Sequence, residues 1–330
     1  MPRRTRFPFF CGFVTALIFM ELLLHPFSGG RENSAGKEVR QYREGLTQAH
    51  FTPDWRRLTG SPQIAGAPSV VILGDSHVEA WQVWDQETMG SVLERRLRTE
   101  GKPWNVLQYG WNGADGPDYV YEAPLVAQNF PSNNIFLLMN AGDFRSTTTK
   151  YARLVEQDGK VAAEATGPDS VRGNPRLPSK GFWARTREES GLYLAIRVRW
   201  IYDISPSMQG HAASTPEDHL LAEPASQNAL PLIVRGLQQA YGDRLHILYT
   251  PTQPFSEHES PEPQESELLV ECKALGMACR SLRSRMEKDL IANHRLARGF
   301  SNSEPGVGHF NARGHQLVAD ELHDWLNDLD

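Results

Sequence analysis

A chain of 330 residues with 40% hydrophobic and 22% charged side chains has an ordinary globular composition and is long enough to bury a large core. Its 34 Lys and Arg against 40 Asp and Glu leave a formal net charge of −6, which argues against nucleic acid as a partner. None of the three cysteines has a zinc-binding spacing, and no nucleotide or phosphate-cradling motif is present, so no cofactor and no metal is expected.

In chain order, Arg3, Arg4 and Arg6 precede an apolar stretch over 7–24, interrupted by Thr15 and Glu21 and followed by Gly/Ser-rich sequence. This is the layout of a secretory signal or of a membrane anchor with its basic end in the cytoplasm, so residues 1–30 are expected to direct export. The stretch is near the shortest that spans a bilayer, and Glu21 is costly in lipid away from the interface. Ser28-x-Gly30 offers a weak cleavage site. The anchor is the preferred reading and makes the membrane a partner, with the domain facing the periplasm or exterior. A cleaved signal, giving a secreted protein, stays open. Without those residues the chain is more acidic still, with 31 basic against 39 acidic side chains.

Residues 31–66, polar and rich in Gly, Pro and Arg, read as a stalk and an N-terminal wrap on a domain over 67–330. That domain opens with V-V-I-L-G-D-S at 70–76, an unbroken apolar run ending in glycine, acid and serine. Such a run suits a strand buried on both faces, and Gly74 permits a tight turn into the next element. A helical pattern follows near 89–100, with Val92, Leu93 and Leu97 on one face and Gly101 as its stop. Residues 104–109 read as a strand, 117–128 as a helix and 134–139 (N-I-F-L-L-M) as a third buried strand.

Between 145 and 229 the pattern loosens into an insertion, with a hairpin over 151–161 around Asp158-Gly159 and a Trp- and Arg-bearing helix over 182–202. A helix over 230–241 ends at Gly242, a strand over 245–249 is closed by Pro251, and a helix over 265–275 stops at Gly276. Asn311 suits the N-cap of a last helix over 311–329 whose apolar face is Leu317, Val318, Leu322 and Trp325. Alternation of this kind implies a parallel sheet covered on both sides. Cys272 and Cys279 are separated by a short turn; in an oxidising compartment they suit a disulfide, and otherwise two small buried thiols.

Ser76 is the residue with chemistry to explain. A serine is a poor nucleophile unless a base takes its proton, and the developing oxyanion needs preorganised donors. The base candidate is His309, just before the last helix. The donor candidates are the amides of Ser76, at a strand-to-helix turn, and of Gly110, after the second strand. Trp81, Trp84 and Trp111 lie near these positions, where aromatic side chains stack on sugars or pack into a core.

Gly74-Asp75-Ser76-His77, Gly110, Asn140-Ala141-Gly142-Asp143 and His309-x-Asn311-x-x-Gly314 together resemble, in order, the signature of the SGNH or GDSL hydrolase superfamily. Its Gly-Asp-Ser motif ends the first strand, a glycine follows the second, a Gly-x-Asn-Asp-like motif follows the third, and a His lies on a late Asp-x-x-His segment. The likeness covers residues 69–330, with an atypical middle. It implies an α/β fold, a flavodoxin-like three-layer α/β/α sandwich around a central parallel sheet, and acyl-ester substrates. It makes Ser76 the nucleophile, His309 the general base, and the Ser76 and Gly110 amides the oxyanion hole.

Two positions depart from that pattern. Gly306 stands where the family has its Asp, with Glu304 nearby as a possible support, and Gly142 occupies the place of the oxyanion asparagine. Asn140 reaches the hole only if the loop is rearranged. Asp75 and Asp143 read as supports of their turns through backbone hydrogen bonds, His77 as a lining residue and His315 as packing. The functional expectation is an exported serine esterase or deacylase acting on acyl esters, such as O-acyl groups of an envelope polysaccharide. The alternatives are an acyltransferase using the same Ser-His site, and a degenerate module of the same fold that binds glycan or a partner.

Overall fold

The computed structural model describes residues 62–130, 132, 134–167, 229–256, 259–301 and 303–329, with 15, 19, 30–33, 36–41, 47–51 and 59. The chain first makes an antiparallel meander of β1 (Gly30–Asn33), β2 (Gly36–Gln41) and β3 (Thr47–Phe51). Then come β4 (Ser69–Gly74), α1 (Ser76–Glu79), α2 (Met89–Thr99), β5 (Asn105–Gly110), α3 (Gly116–Asn129) and β6 (Asn134–Met139). A hairpin of β7 (Ala152–Gln157) and β8 (Lys160–Ala165) follows. The remainder is α4 (Ala229–Tyr241), β9 (Leu245–Tyr249), α5 (Pro263–Leu275), β10 (Ala278–Ser281), α6 (Arg283–Asn293) and α7 (Ala312–Leu329).

The five central strands are parallel, in the order β10-β9-β6-β4-β5. Successive side chains of a strand point to opposite faces, so the apolar runs feed two cores. Val71, Leu73, Ile135, Leu137 and Ile247 pack against α3, α4 and α5, whereas Val70, Ile72, Phe136, Leu138 and Leu248 pack against α2, α6 and α7. The result is the expected three-layer α/β/α sandwich. The chain moves from β4 outward to β5 and then back across to β6, so the strand order reverses between β4 and β6. In doubly wound sheets that reversal opens a crevice at the carboxyl ends of the strands, where ligands are handled.

Three regions depart from the sequence expectation. The wrap holds the meander, which docks on the domain by burying Ala49 and Phe51 and by joining His50 to Asp85, with the His50 amide donating to Oδ1 (3.0 Å) and Nδ1 lying 2.5 Å from Oδ2. Short α1 connects β4 to the loop that follows. β10 and α6 add an edge strand and a helix where the sequence shows too few apolar positions to announce either. The hairpin forms as expected: Asp158 and Gly159 take φ of +52° and +74°, the left-handed pair of a tight two-residue turn. The helix expected over 182–202 and nearly all of the export segment 1–30 lie outside the described residues. Among the described residues no helix is long and apolar enough to cross a membrane.

Cys272, near the end of α5, and Cys279, on β10, form a disulfide with Cα atoms 6.1 Å apart and a sequence separation of 7. Closing so short a loop in the unfolded chain is worth about 2–2.5 kcal/mol in the chain-entropy account. The double variant Cys272→Ser, Cys279→Ser is therefore expected to melt about 4–8 °C below the parent. Calorimetry of the two proteins, and of the parent with and without reductant, measures the difference.

Candidate active site

The turn that carries Ser76 is built by residues without room for alternatives. A Cβ at Gly74 would lie 2.4 Å from Val78 Cγ2, and one at Gly110 would lie 1.9 Å from the Glu79 nitrogen, so α1 sits directly on the glycine that ends β5. Asp75 caps α1: its Oδ1 accepts the His77 amide at 2.8 Å and its carbonyl accepts Val78 and Glu79. Buried Gln108 closes the other end, donating from Nε2 to the Val78 carbonyl (2.6 Å) while Oε1 accepts the Gly90 amide (2.7 Å). Ser76 thus holds the first position of a four-residue helix, where the amide has no acceptor within the helix.

His309 is placed by a second backbone framework. The segment 296–299 runs beside 308–311: Gly299 donates to the His309 carbonyl, Asn311 to the Ala297 carbonyl, and Arg298 pairs with Phe310 in an isolated antiparallel bridge. Asn311 caps α7 through Oδ1, which accepts the Arg313 and Gly314 amides, and ties the segment down through Nδ2, which donates to the Leu296 and Gly299 carbonyls. The consequence is an imidazole Nε2 lying 2.9 Å from Ser76 Oγ.

Arg298, which the sequence reading did not single out, is buried at the centre of this framework. It donates to the carbonyls of Gly308 (2.9 Å) and Pro251 (2.8 Å), and its guanidinium lies over the Phe310 ring at 4.3 Å. It also meets His77 Nε2 at 3.1 Å. Arginine only donates, so Nε2 accepts and Nδ1 holds the His77 proton. Burial pushes His77 well below its ordinary value, and the charges of Arg298, His309 and His315 push in the same direction. Its ring stands 5.0 Å from that of His309, and it stays neutral. An arginine in a polar segment reads as a solvated charge, so no sequence signal pointed to this one. His315 is buried, its Nδ1 accepting the Met89 amide at 3.3 Å.

The loop after β6 winds as a 3₁₀ turn, Ala141–Phe144, with Asn140 as its N-cap. The Gly142 amide donates to Asn140 Oδ1 (2.7 Å), which identifies that atom as the oxygen and turns Nδ2 toward Asp75 Oδ2 (3.0 Å). Gly142 therefore acts through Asn140 and is not itself a free donor. The winding thus ties Asn140 to the turn that carries Ser76 through Asp75. Gly110 is also corrected: the Trp111 amide bonds the Gly74 carbonyl of β4, and because successive amides of a strand face opposite ways, the Gly110 amide faces away from Ser76. Gly110 serves as the seat for α1. Glu304 is exposed and, among the described residues, its carboxylate touches no partner, His309 included.

Asp75 and Asp143 form a buried acidic pair around Asn140. Burial raises the Asp75 carboxyl, against the opposing pull of the His77 amide, His309, Arg298 and Asn140. Asp143 accepts the Asn140 amide at 2.6 Å and is raised well above the usual range by burial, then by Asp75 and Asp115. The cationic and donor groups surround Asp75, so of the two carboxyls Asp143 is pushed more strongly toward its neutral form. Trp81 and Trp111 pack on the core, whereas Trp84 is 44% exposed. Among the described residues no group of three or more His, Cys, Asp or Glu is arranged to hold a metal ion.

Fold and site together define a doubly wound α/β protein with a serine-imidazole pair at the crevice of its sheet. No family profile and no curated protein matches the chain. Similar solved structures include a two-domain esterase active on acetylated mannans (11% identity, TM-score 0.41), which covers 80% of this chain. The present chain spans about half the length of that protein (50%). They also include an acetylxylan esterase from Geobacillus stearothermophilus (12% identity, TM-score 0.39, covering 79% of this chain and 94% of its own). A third, described as a putative lipolytic protein of the G-D-S-L family from Desulfitobacterium hafniense, shows 9% identity and a TM-score of 0.36 over 78% of this chain and 98% of its own.

The buried form of Asp143 is the neutral one, and unfolding lets it ionise at its ordinary value. Its contribution to stability is therefore complete below that value and is lost as pH rises through the elevated folded one. Asp143→Asn keeps an acceptor for the Asn140 amide and removes the ionisation. Thermal unfolding across pH is expected to show the variant more stable than the parent near about pH 8, with the advantage vanishing as pH falls to about 4.

Proposed function

We propose that the chain is a serine esterase of SGNH type, exported and held at or released from a membrane by its N-terminal segment. The observation that carries the reading is the 2.9 Å approach of His309 Nε2 to Ser76 Oγ, within the reach required of a base and the hydroxyl it activates. In the acylation step, Ser76 Oγ attacks the ester carbonyl carbon as its proton passes to Nε2. The tetrahedral oxyanion takes hydrogen bonds from the Ser76 amide and from the second Nδ2 hydrogen of Asn140, the first being engaged by Asp75. Collapse expels the alcohol, which takes the proton back from His309. Water, deprotonated by the same nitrogen, then releases the acid and restores Ser76.

The proposed substrates are O-acyl groups on an exported or envelope polysaccharide. The export-like layout of residues 1–30 and the exposed Trp84 on the chain that continues from α1 support that choice. A second reading, a non-catalytic binding module, draws on Gly306 standing where an orienting carboxylate is expected. Loss of such a group costs roughly 10⁴-fold in serine proteases. In this chain the backbone framework of Gly299, Arg298 and Asn311 holds the main chain that carries His309.

The purified protein is expected to hydrolyse p-nitrophenyl acetate and to be labelled on Ser76 by a fluorophosphonate. Ser76→Ala should lower the rate by roughly 10⁴-fold or more. Asn140→Ala should lower kcat by about 10²–10³-fold. A rate unchanged in Ser76→Ala would remove the serine from its role. Absent labelling and absent hydrolysis would favour the binding module, and an acyl group moved to a saccharide acceptor faster than to water would favour transfer.

A further inference from the structure

Between the chain that leaves α1 and the segment 299–301 lies an open groove of about 350 Å³, at the small end of the ~300–1,000 Å³ typical of small-molecule sites. One wall is the chain continuing from α1, with Gln82, Trp84 and Glu87. The other is Gly299–Ser301, whose first residue is hydrogen-bonded to the His309 carbonyl. Each wall is thus joined through the main chain to one half of the candidate active site, while neither Ser76 nor His309 itself lines the groove.

Four side chains of this groove have capacity that the fold does not use. Trp84 is 44% exposed although a large aromatic ring normally finds cover, and Phe300 supplies a second partly exposed ring on the facing wall. Gln82 is only 6% exposed, yet its side-chain amide has no partner among the described residues. That amide keeps contact with solvent and so can both donate to and accept from a ligand in the groove. Glu87 is half-buried on the same wall, and its carboxylate is likewise without a partner among the described residues. By contrast, Thr47 and Asn311 are engaged with the Trp81 carbonyl and with the α7 cap, and act as wall.

We infer that this groove is a subsite for a neutral saccharide chain, with the apolar face of a sugar ring on Trp84 and its hydroxyls on Gln82 and Glu87. An acyl chain would leave the Gln82 amide and the Glu87 carboxylate unsatisfied. An anionic sugar or a phosphate would be repelled by Glu87 on a protein of net charge −6. The inference rests on the esterase reading for what the bound chain delivers to Ser76, and it names the neutral polysaccharide as the acylated substrate class.

The test separates binding from catalysis. In the full chain carrying Ser76→Ala, titration calorimetry with xylotetraose, mannotetraose and cellotetraose is expected to detect at least one complex, with tetragalacturonate bound at least tenfold more weakly. Adding Trp84→Ala should weaken the neutral ligand by about tenfold, Gln82→Leu should weaken it severalfold, and Glu87→Gln should narrow the discrimination against tetragalacturonate. In the active protein, kcat/KM on the O-acetylated form of the bound oligosaccharide, taken relative to p-nitrophenyl acetate, should fall with Trp84→Ala. No binding of any neutral tetrasaccharide, unchanged binding in both Trp84→Ala and Gln82→Leu, or equal binding of tetragalacturonate would overturn the subsite. Binding without fluorophosphonate labelling or ester hydrolysis would instead refute the esterase reading and leave the subsite standing.

Discussion

The contact on which the molecule's chemistry depends is that between an imidazole nitrogen and a serine oxygen 233 residues apart in sequence. Neither side chain comes from the interior of a long element. Ser76 opens a four-residue helix that fits only because Gly110 has no side chain beneath it, and His309 ends a loop held by its pairing with 296–299. The reversal of strand order between β4 and β6 gives these two pieces a common meeting place. It leaves the carboxyl end of β4 uncovered while β6 brings Asn140 up beside it. A displacement of either framework by an ångström would take the imidazole out of hydrogen-bond reach.

Charge around that contact is arranged with few free cations. Arg298 is engaged by backbone carbonyls and by His77, and of the carboxyls flanking Asn140 Asp75 is the one whose upward push from burial is opposed by His309, Arg298 and hydrogen-bond donors. The imidazole therefore sits near the buried carboxyl that caps the serine's own helix. In this geometry the Asp75 carboxyl stands on the serine's side of the pair. An imidazolium formed during acyl transfer would be attracted by Asp75 across the serine turn.

Much of the fold is legible in the sequence because buried parallel strands are continuous apolar runs between breakers. Asn134–Met139 and Leu245–Tyr249 are read to the residue, and α2 and α7 follow from their apolar faces. The elements not read are those too short or too polar to show a period. Four residues cannot establish one, as in α1 and in the half-buried β10; α6 buries only Met286 among its apolar residues; and among the described side chains of the meander, Thr47, Ala49 and Phe51 mark the inward face. The same limit applies at the site. Ser76 and His309 stand out through motifs, but the direction of the Asn140 amide depends on a 3₁₀ winding, and the burial of Arg298 depends on carbonyls contributed by two segments, Thr250-Pro251 and Gly308.

The bridge between α5 and β10 has a meaning beyond the free energy of loop closure. β10 is the last strand on its side of the sheet, and a bare margin of main-chain donors and acceptors invites a foreign strand to add on. At four residues the exposed rung is short, and the sulfur link to the neighbouring helix keeps it from peeling away and lengthening. In an oxidising compartment this margin stays sealed against self-association. In a reducing one the same domain would lose its guard against aggregation before it lost its fold.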